Sequence, residues 1–326
     1  MTIEVLVKKT GGPEVMEISQ SKLSENPEDN SVRIKHRAIG VNYIDTYHRD
    51  GTYPIQLPSV LGMEAVGEII KKGDGVRGFS VGDRVGYASL PLGSYCDVRD
   101  YPSDKIVKIP DYISDVQAAS ILLKGMTVEY LFNRTYKLKA GEHFLFHAAA
   151  GGVGLLACQW SKAIGAKMIG TVSTKEKAVL AKNLGCDYVI NYKEENVVEK
   201  LMDITNNKGV SVVYDGVGKV TMQKSLGCLK MRGTFVSFGN ASGKLDPLDV
   251  GKLIAPKGLF LTRPSIAHYT ATRKELDEAA DKLFEMVKTQ KVKIDIFKKY
   301  SLKDAVNAHK DLEGRKIIGP AIIVPN

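Results

Sequence analysis

Apolar residues follow two rhythms along this chain. Up to about residue 124 they fall in short runs, such as 31–39, 65–71 and 84–88, with turn signals like Gly11-Gly12-Pro13 and Gly82-Asp83 between them. Many short strands with little helix predict a barrel-like β domain. From about residue 125, strands alternate with helices. An apolar run from His143 meets a small-residue turn, then an apolar helix closed by Gly165, then a second run over 166–173. A helix over 175–184 ending at Gly185 follows, then strand 188–192, a helix near 197–205 and strand 210–214. A helix near 220–228 and strands 233–238 and 258–262 complete the series. This alternation predicts a doubly wound parallel sheet. Residues 272–288 carry an amphipathic stripe (Leu276, Ala280, Leu283, Phe284, Val287). A helix over 302–312 and a β run over 317–324 follow, and this tail is expected to rejoin the first domain. The division is 1–124, 125–264 and 265–326, and the class is α/β.

The turn between the runs reads Ala149-x-Gly151-x-x-Gly154, a dinucleotide fingerprint with alanine at the first glycine. Gly151 lets backbone approach a pyrophosphate and Gly154 lets helix pack on strand. Gly152 and Val153 offer backbone N–H groups at a positive helix end. An NAD site places an acid about 20 residues further on. Here that strand end carries Ser173, with Lys177 one turn into the next helix. A hydroxyl and an ammonium suit a 2′-phosphate, so the expected cofactor is NADPH. A surface lysine is the alternative for Lys177. Glu176 is expected to face solvent.

Composition narrows the field. With 326 residues, 44% hydrophobic and 25% charged, the chain is an ordinary globular sequence large enough for two domains. The N-terminus lacks an apolar targeting core, and no apolar run approaches the roughly 18 residues that span a bilayer. Cys96, Cys158, Cys186 and Cys228 fit neither a disulfide framework nor a C-x-x-C site, which suggests the cytoplasm. The net charge of +9 would suit nucleic acid, a membrane surface or an anionic cofactor. Its lysines are scattered, with only pairs such as Lys8-Lys9, Lys71-Lys72 and Lys298-Lys299, so a solvated surface is the simpler reading.

Gly62-Met-Glu-Ala-Val-Gly67, Val81-Gly-Asp-Arg-Val85 and the glycine turn resemble the medium-chain dehydrogenase/reductase superfamily. Asn42-Tyr-Ile-Asp-Thr-Tyr47, Leu123-Lys-Gly-Met-Thr127, Phe146–Gly154, Val236-Ser-Phe-Gly-Asn240 and Thr262-Arg-Pro-Ser265 are similar, more narrowly, to NADPH:quinone oxidoreductases of the zeta-crystallin type. The resemblance covers essentially the whole chain. It implies a GroES-like β-barrel-type domain plus a Rossmann domain, NADPH in the cleft between them, and a homodimer, with edge strands near 258–262 as the candidate interface.

Zinc alcohol dehydrogenases of this superfamily hold zinc with Cys, His and Cys or Asp. By the resemblance, Asn42, Met63 and Lys124 stand where such ligands would be, and the four-cysteine structural lobe is missing. An amide, a thioether and an ammonium cannot replace thiolates and imidazole around zinc, so no metal is expected. Glu64 remains and is read as supporting the local fold. Alcohol oxidation needs Lewis acidity for an alkoxide, whereas a quinone or enone delocalises the charge it receives. The expected activity is therefore hydride transfer from NADPH to a quinone, with an alkenal or enone reductase as the alternative. Some relatives of this type bind RNA, but no RNA module or aromatic-interleaved basic patch is present.

The resemblance sets Asn42, Asp45 and Tyr47 toward the nicotinamide, with Asn42 and Tyr47 as the residues expected to act on substrate. Against this, Asn42 and Asp45 have the spacing of a helix cap. Tyr53 could line the substrate cleft or pack on the β domain. Thr127 and Tyr130 are cofactor candidates, Tyr130 along the ribose or as a core aromatic of a linking helix. Tyr192 matches a position flanking the adenosine phosphate. Phe238, Gly239 and Asn240 end a strand at the carboxyl edge, where ligands bind in open α/β folds. Arg263 and Arg315 could meet phosphate or carboxamide, a surface arginine being the default for Arg315. His147, inside an apolar strand, reads as a structural histidine rather than a general acid, and Asp215 as a turn or cap residue.

Overall fold

The structure, a computed structural model, describes residues 1–325. The chain forms two units. The first comprises Met1–Met126, Thr270–Lys288 and the chain from Ile294 onward; the second comprises Thr127–Tyr269 and Thr289–Lys293.

In the first unit, β1 (Thr2–Val7) lies between β2 (Met16–Ser21) and β4 (Ser59–Val60), antiparallel to both. The larger sheet uses β3 (Ser31–Gly40), β5 (Glu64–Lys72), β6 (Arg84–Ala88), β7 (Val98–Pro102), β8 (Val107–Lys108), β15 (Lys298–Ser301) and β16 (Ala321–Val324). Its order is β15-β16-β3-β5-β6-β8, with β7 also paired to β3. The two C-terminal strands thus enter the N-terminal sheet through the β16–β3 pairing. Val5, Val32, Ile34, Ile39, Tyr95 and Ile323 form part of its apolar core. Helices α1 (Tyr43–Asp50), α8 (Arg273–Lys288) and α9 (Ala305–Glu313) belong to this unit.

Four expectations need correcting. Helix α2 (Asp115–Tyr130) opens within a region read as nearly helix-free. Ala118, Ala119, Ile121, Leu122, Leu123 and Met126 are buried, and so are Ser120, Lys124 and Thr127, so the helix is covered on every side and shows no polar stripe. The boundary between units falls inside it, after Met126 rather than at 124, and the later one falls after Tyr269 rather than at 264. Strand β16 starts at Ala321, not 317. Gly319 has a φ of 108° and Pro320 has no N–H for a ladder, which delays the strand.

The second unit contains β9 (His143–Phe146), α3 (Gly152–Ile164), β10 (Lys167–Val172), α4 (Lys175–Asn183) and β11 (Tyr188–Asn191). It continues with α5 (Val197–Ile204), β12 (Val210–Asp215), α6 (Met222–Cys228), β13 (Leu229–Ser237) and β14 (Phe260–Thr262). All strands are parallel, in the order β11-β10-β9-β12-β13-β14. Strand order reverses between β9 and β12, and ligands of such sheets bind at the carboxyl end of that switch point. No helix among the described residues is long and apolar enough to cross a membrane.

Candidate active site

At the carboxyl end of β9 the chain turns through Ala148, whose φ is 58°, and enters α3 with Gly151 as N-cap. No side chain caps this helix, so its first N–H groups, those of Gly152 and Val153 among them, remain for a ligand. Gly154 is obligatory: a Cβ there would collide with Ala148 O and lie 2.6 Å from Ala149 C. Such a turn fits a pyrophosphate.

A buried chain of side chains holds the turn in shape. The carboxylate of Asp215 only accepts, so Ser225 Oγ donates to its Oδ2 at 2.7 Å. Ser225 Oγ must then accept from His147 Nε2 at 3.0 Å. His147 Nδ1 accepts from Thr171 Oγ1 at 3.0 Å, and Thr171 Oγ1 accepts the N–H of Ala148 at 3.2 Å. Burial lowers the pKa of His147, in keeping with a neutral ring. Asp215 Oδ1 also takes the N–H groups of Val217 and Gly218, at 2.8 and 2.9 Å. His147 and Asp215 therefore have structural positions, the first locking the turn and the second the loop after β12.

The 2′-phosphate candidates meet at the end of β10. Ser173 follows Val172 directly, and Val172 O accepts the N–H of Tyr192 at 3.1 Å. Thr174 Oγ1 caps α4 through the N–H of Lys177 at 3.3 Å, which fixes where the lysine leaves the backbone. Ser173 and Lys177 are half-buried, while Glu176 is exposed. Phe238, Gly239 and Asn240 follow β13; Phe238 N–H donates to Asp215 O at 2.9 Å. Arg263 donates to Ser237 O at 2.7 Å, tying the end of β14 to that of β13. Tyr130 is buried and stacks on Tyr269, ring centroids 4.7 Å apart at 5°. Thr127, also buried, lies in α2 one turn before it.

The remaining candidates belong to the first unit. Asn42 immediately precedes α1, and its side chain bridges two charges. Its Nδ2 donates to Glu64 Oε2 at 2.8 Å, and its Oδ1 accepts from Lys124 Nζ at 2.7 Å. Glu64 Oε1 takes the N–H of Leu123 at 2.7 Å. Gly40 makes room for this carboxylate, since a Cβ there would overlap Glu64 Oε2 and lie 2.5 Å from Ala119 O. All three side chains are buried. This cluster was missed as a unit in the sequence, where Lys124 is legible only as a lost zinc ligand. Its members are 22, 60 and 82 positions apart, and no local spacing joins them.

Asp45, placed by the resemblance toward the cofactor, is fully buried and serves the helix: its Oδ2 accepts the N–H of Asn42 at 2.9 Å and Tyr95 OH at 3.1 Å. Arg49 can only donate, so His309 Nδ1 accepts from it at 2.9 Å. His309 Nε2–H then donates to Tyr95 at 3.1 Å, and the phenol to Asp45. Burial pushes His309 down to about 3, with the Arg49 charge adding to the effect. Burial raises Asp45 to about 7 despite the opposing hydrogen bonds from Asn42 and Tyr95. Tyr47 is buried beside Tyr43 and Tyr53, at centroid distances of 5.5 and 5.1 Å. Tyr53 thus joins an aromatic group on α1. Arg315 is exposed in the turn after α9, with a φ of 57°. Among the described residues no group of three or more His, Cys, Asp or Glu is placed to hold a metal ion.

Comparison with known proteins agrees with this architecture. Residues 28–136 match the alcohol dehydrogenase GroES-like domain, and residues 152–285 the zinc-binding dehydrogenase family. Quinone oxidoreductase 1 of Escherichia coli is 48% identical over the full length of both chains. A 2-haloacrylate reductase from a Burkholderia species is 42% identical over 100% of this chain and 99% of its own. The crystal structure of the Escherichia coli quinone oxidoreductase complexed with NADPH, 48% identical, superposes with a TM-score of 0.97 and full coverage of both chains. The chain belongs to the quinone oxidoreductase family of the medium-chain dehydrogenase/reductase superfamily.

Proposed function

We propose that this protein is an NADPH-dependent quinone oxidoreductase that works without a catalytic metal. The observation that carries the reading is the end of β10, where Ser173 and Lys177 stand in place of the acid an NAD site requires. Gly151, Gly152 and Val153 hold the pyrophosphate by backbone. Ser173, Lys177 and Tyr192 hold the adenosine 2′-phosphate. Phe238, Gly239, Asn240, Thr127 and Tyr130 border the nicotinamide half, with Arg263 and Arg315 as polar partners of the cofactor. Bound NADPH supplies a hydride. Asn42 and Tyr47 border the acceptor, and neither they nor Lys124 offers the thiolate or imidazole that zinc needs. A quinone suits this arrangement because its conjugation spreads the incoming charge.

The similarity to the 2-haloacrylate reductase favours a second acceptor class, a conjugated C=C. The ratio of kcat/KM for quinones and α,β-unsaturated carbonyls decides between them. A homodimer through β14 is part of the same reading, since Phe260 and Leu261 are 62% and 41% exposed on that edge strand. The mass in solution tests it. Four free, buried thiols suit a reducing cytoplasm.

Calorimetric titration tests the cofactor assignment. Wild type should bind NADPH tightly and NADH weakly. Lys177→Ala should lose roughly tenfold or more toward NADPH, since a hydrogen bond to a charged group contributes about 1.5–3 kcal/mol, with no change toward NADH. Equal binding of the two cofactors by wild type would refute it.

A further inference from the structure

We propose that Lys124 is a catalytic residue: its ammonium hydrogen-bonds the acceptor oxygen on which negative charge develops, and passes it a proton. The proposal rests on the reading above that the Asn42 segment borders the acceptor.

The geometry of the cluster carries the argument. An ammonium has three N–H groups to place. Asn42 Oδ1 takes one at 2.7 Å, and Glu64 Oε2 lies 3.5 Å away. The third meets no acceptor among the described residues, although the side chain is only 8% exposed. Leaving such a donor unpaired is costly, more so for a charged group. A purely structural ion pair would look different. Charge-assisted N–H···O bonds close to about 2.7–2.9 Å. Here the carboxylate spends its short bonds elsewhere, on Leu123 N–H at 2.7 Å and Asn42 Nδ2 at 2.8 Å. Glu64 therefore neutralises the cluster without saturating the ammonium.

The ammonium is also held still. Asn42 is anchored on its backbone side by Asp45, Asp45 by Tyr95, Tyr95 by His309, and His309 by Arg49. The amide cannot flip, because its oxygen must face Lys124 and its nitrogen Glu64. A fixed, buried donor aimed at developing charge needs little reorganisation during the reaction, which is how such groups accelerate chemistry. The balance closes simply. The acceptor gains a hydride, with its two electrons, from the cofactor. Its oxygen becomes anionic and takes a proton from Nζ, and Nζ regains one from water. The sum is one hydride and one proton added, yielding hydroquinone from quinone, or from an enone the enol, which then tautomerises to the saturated carbonyl.

The test uses Lys124→Met, with Lys124→Met/Glu64→Gln as a second variant that removes both charges and so avoids a lone buried carboxylate. Lys124→Arg serves as the conservative control. Three quantities are read: NADPH affinity, kcat and KM with a quinone, and the ionisation of bound 4-nitrophenol. The phenol is an oxyanion probe whose phenolate absorbs distinctly, and it is bound to the NADP⁺ complex just below its own pKa. The expected result is unchanged NADPH affinity, a kcat lowered roughly a hundredfold as for loss of an oxyanion-hole donor, and a modest change in KM. Wild type should hold the probe as phenolate, both Met variants as neutral phenol, and Arg should restore part of the phenolate. Variants that keep both kcat and the phenolate spectrum overturn the proposal, as does a wild type that leaves the probe's ionisation unchanged. A wild type that ionises the probe yet reduces neither quinones nor enones would sink the functional reading and leave Lys124 as an anion-binding group.

Discussion

The turn at 149–154 and the cluster around Lys124 are both proposed to offer hydrogen-bond donors to a ligand, yet they are built from different material. The turn uses main-chain N–H groups from consecutive residues, bared because α3 lacks a side-chain cap. The cluster uses side chains from the segment before α1, from β5 and from α2, brought together by the fold. A backbone site is specified by what is missing, namely Cβ atoms and caps. A side-chain site is specified by what is neutralised, since each buried charge must find its partner. Damage should therefore take different forms: steric in the turn, electrostatic in the cluster.

The largest effect should come from breaking the neutralisation. Glu64→Ala leaves Lys124 charged and buried, and removing one partner of such a pair costs about 3–5 kcal/mol. Urea unfolding should show that loss, and a cost below 1 kcal/mol (roughly that of a surface pair) would mean the cluster is open to water.

The next effect concerns pH. Asp45 holds its proton to about 7 in the folded protein against an ordinary 3.8, because it is buried. Between those values the folded state binds more protons than the unfolded chain, so the stability linked to this group is lost as pH rises through the window. Lys124, Asn42 and Tyr95 counter the rise, and Glu64 adds to it. Asp45→Asn removes the dependence, so its stability relative to wild type should improve from about pH 5 to about pH 8, by at most about 3 kcal/mol. A relative stability that stays flat or moves the other way would show that the carboxylate is solvated.

The smallest effect sharpens the other side of the comparison. Gly154→Ala puts a methyl against the backbone of Ala148 and Ala149, where neither can rotate away. Overpacking of this kind costs about 1–3 kcal/mol. Because the strain falls on the turn itself, NADPH affinity should drop while the pH dependence tied to Asp45 is untouched. An unimpaired affinity would show that the turn does not need its present shape.

These contrasts also mark where the sequence was readable. Strand, turn and helix over 143–164 could be traced because periodicity and small residues act locally, and the expected spans agree with β9 and α3 to within a few residues. The absence of an acid at Ser173 was visible for the same reason. Helix α2 was obscured because a helix buried on every side has no polar face to give it a period. Asp45 could be read as cap or as cofactor contact, and Asn42–Asp45 spacing alone could not choose. Tyr95 and His309, distant in sequence, supplied the bonds that tie it to the protein.

By itself the sequence determined the strand–helix alternation from residue 143 onward, the dinucleotide turn and the preference for NADPH, because each depends on residue type or on neighbours within a turn, while the loss of zinc-type donors was legible through the family resemblance. The tertiary structure decided what replaces those donors. Only when β3, β5, α1 and α2 pack together do Asn42, Glu64 and Lys124 come within hydrogen-bonding reach, and buried charges act through distances that no periodicity records.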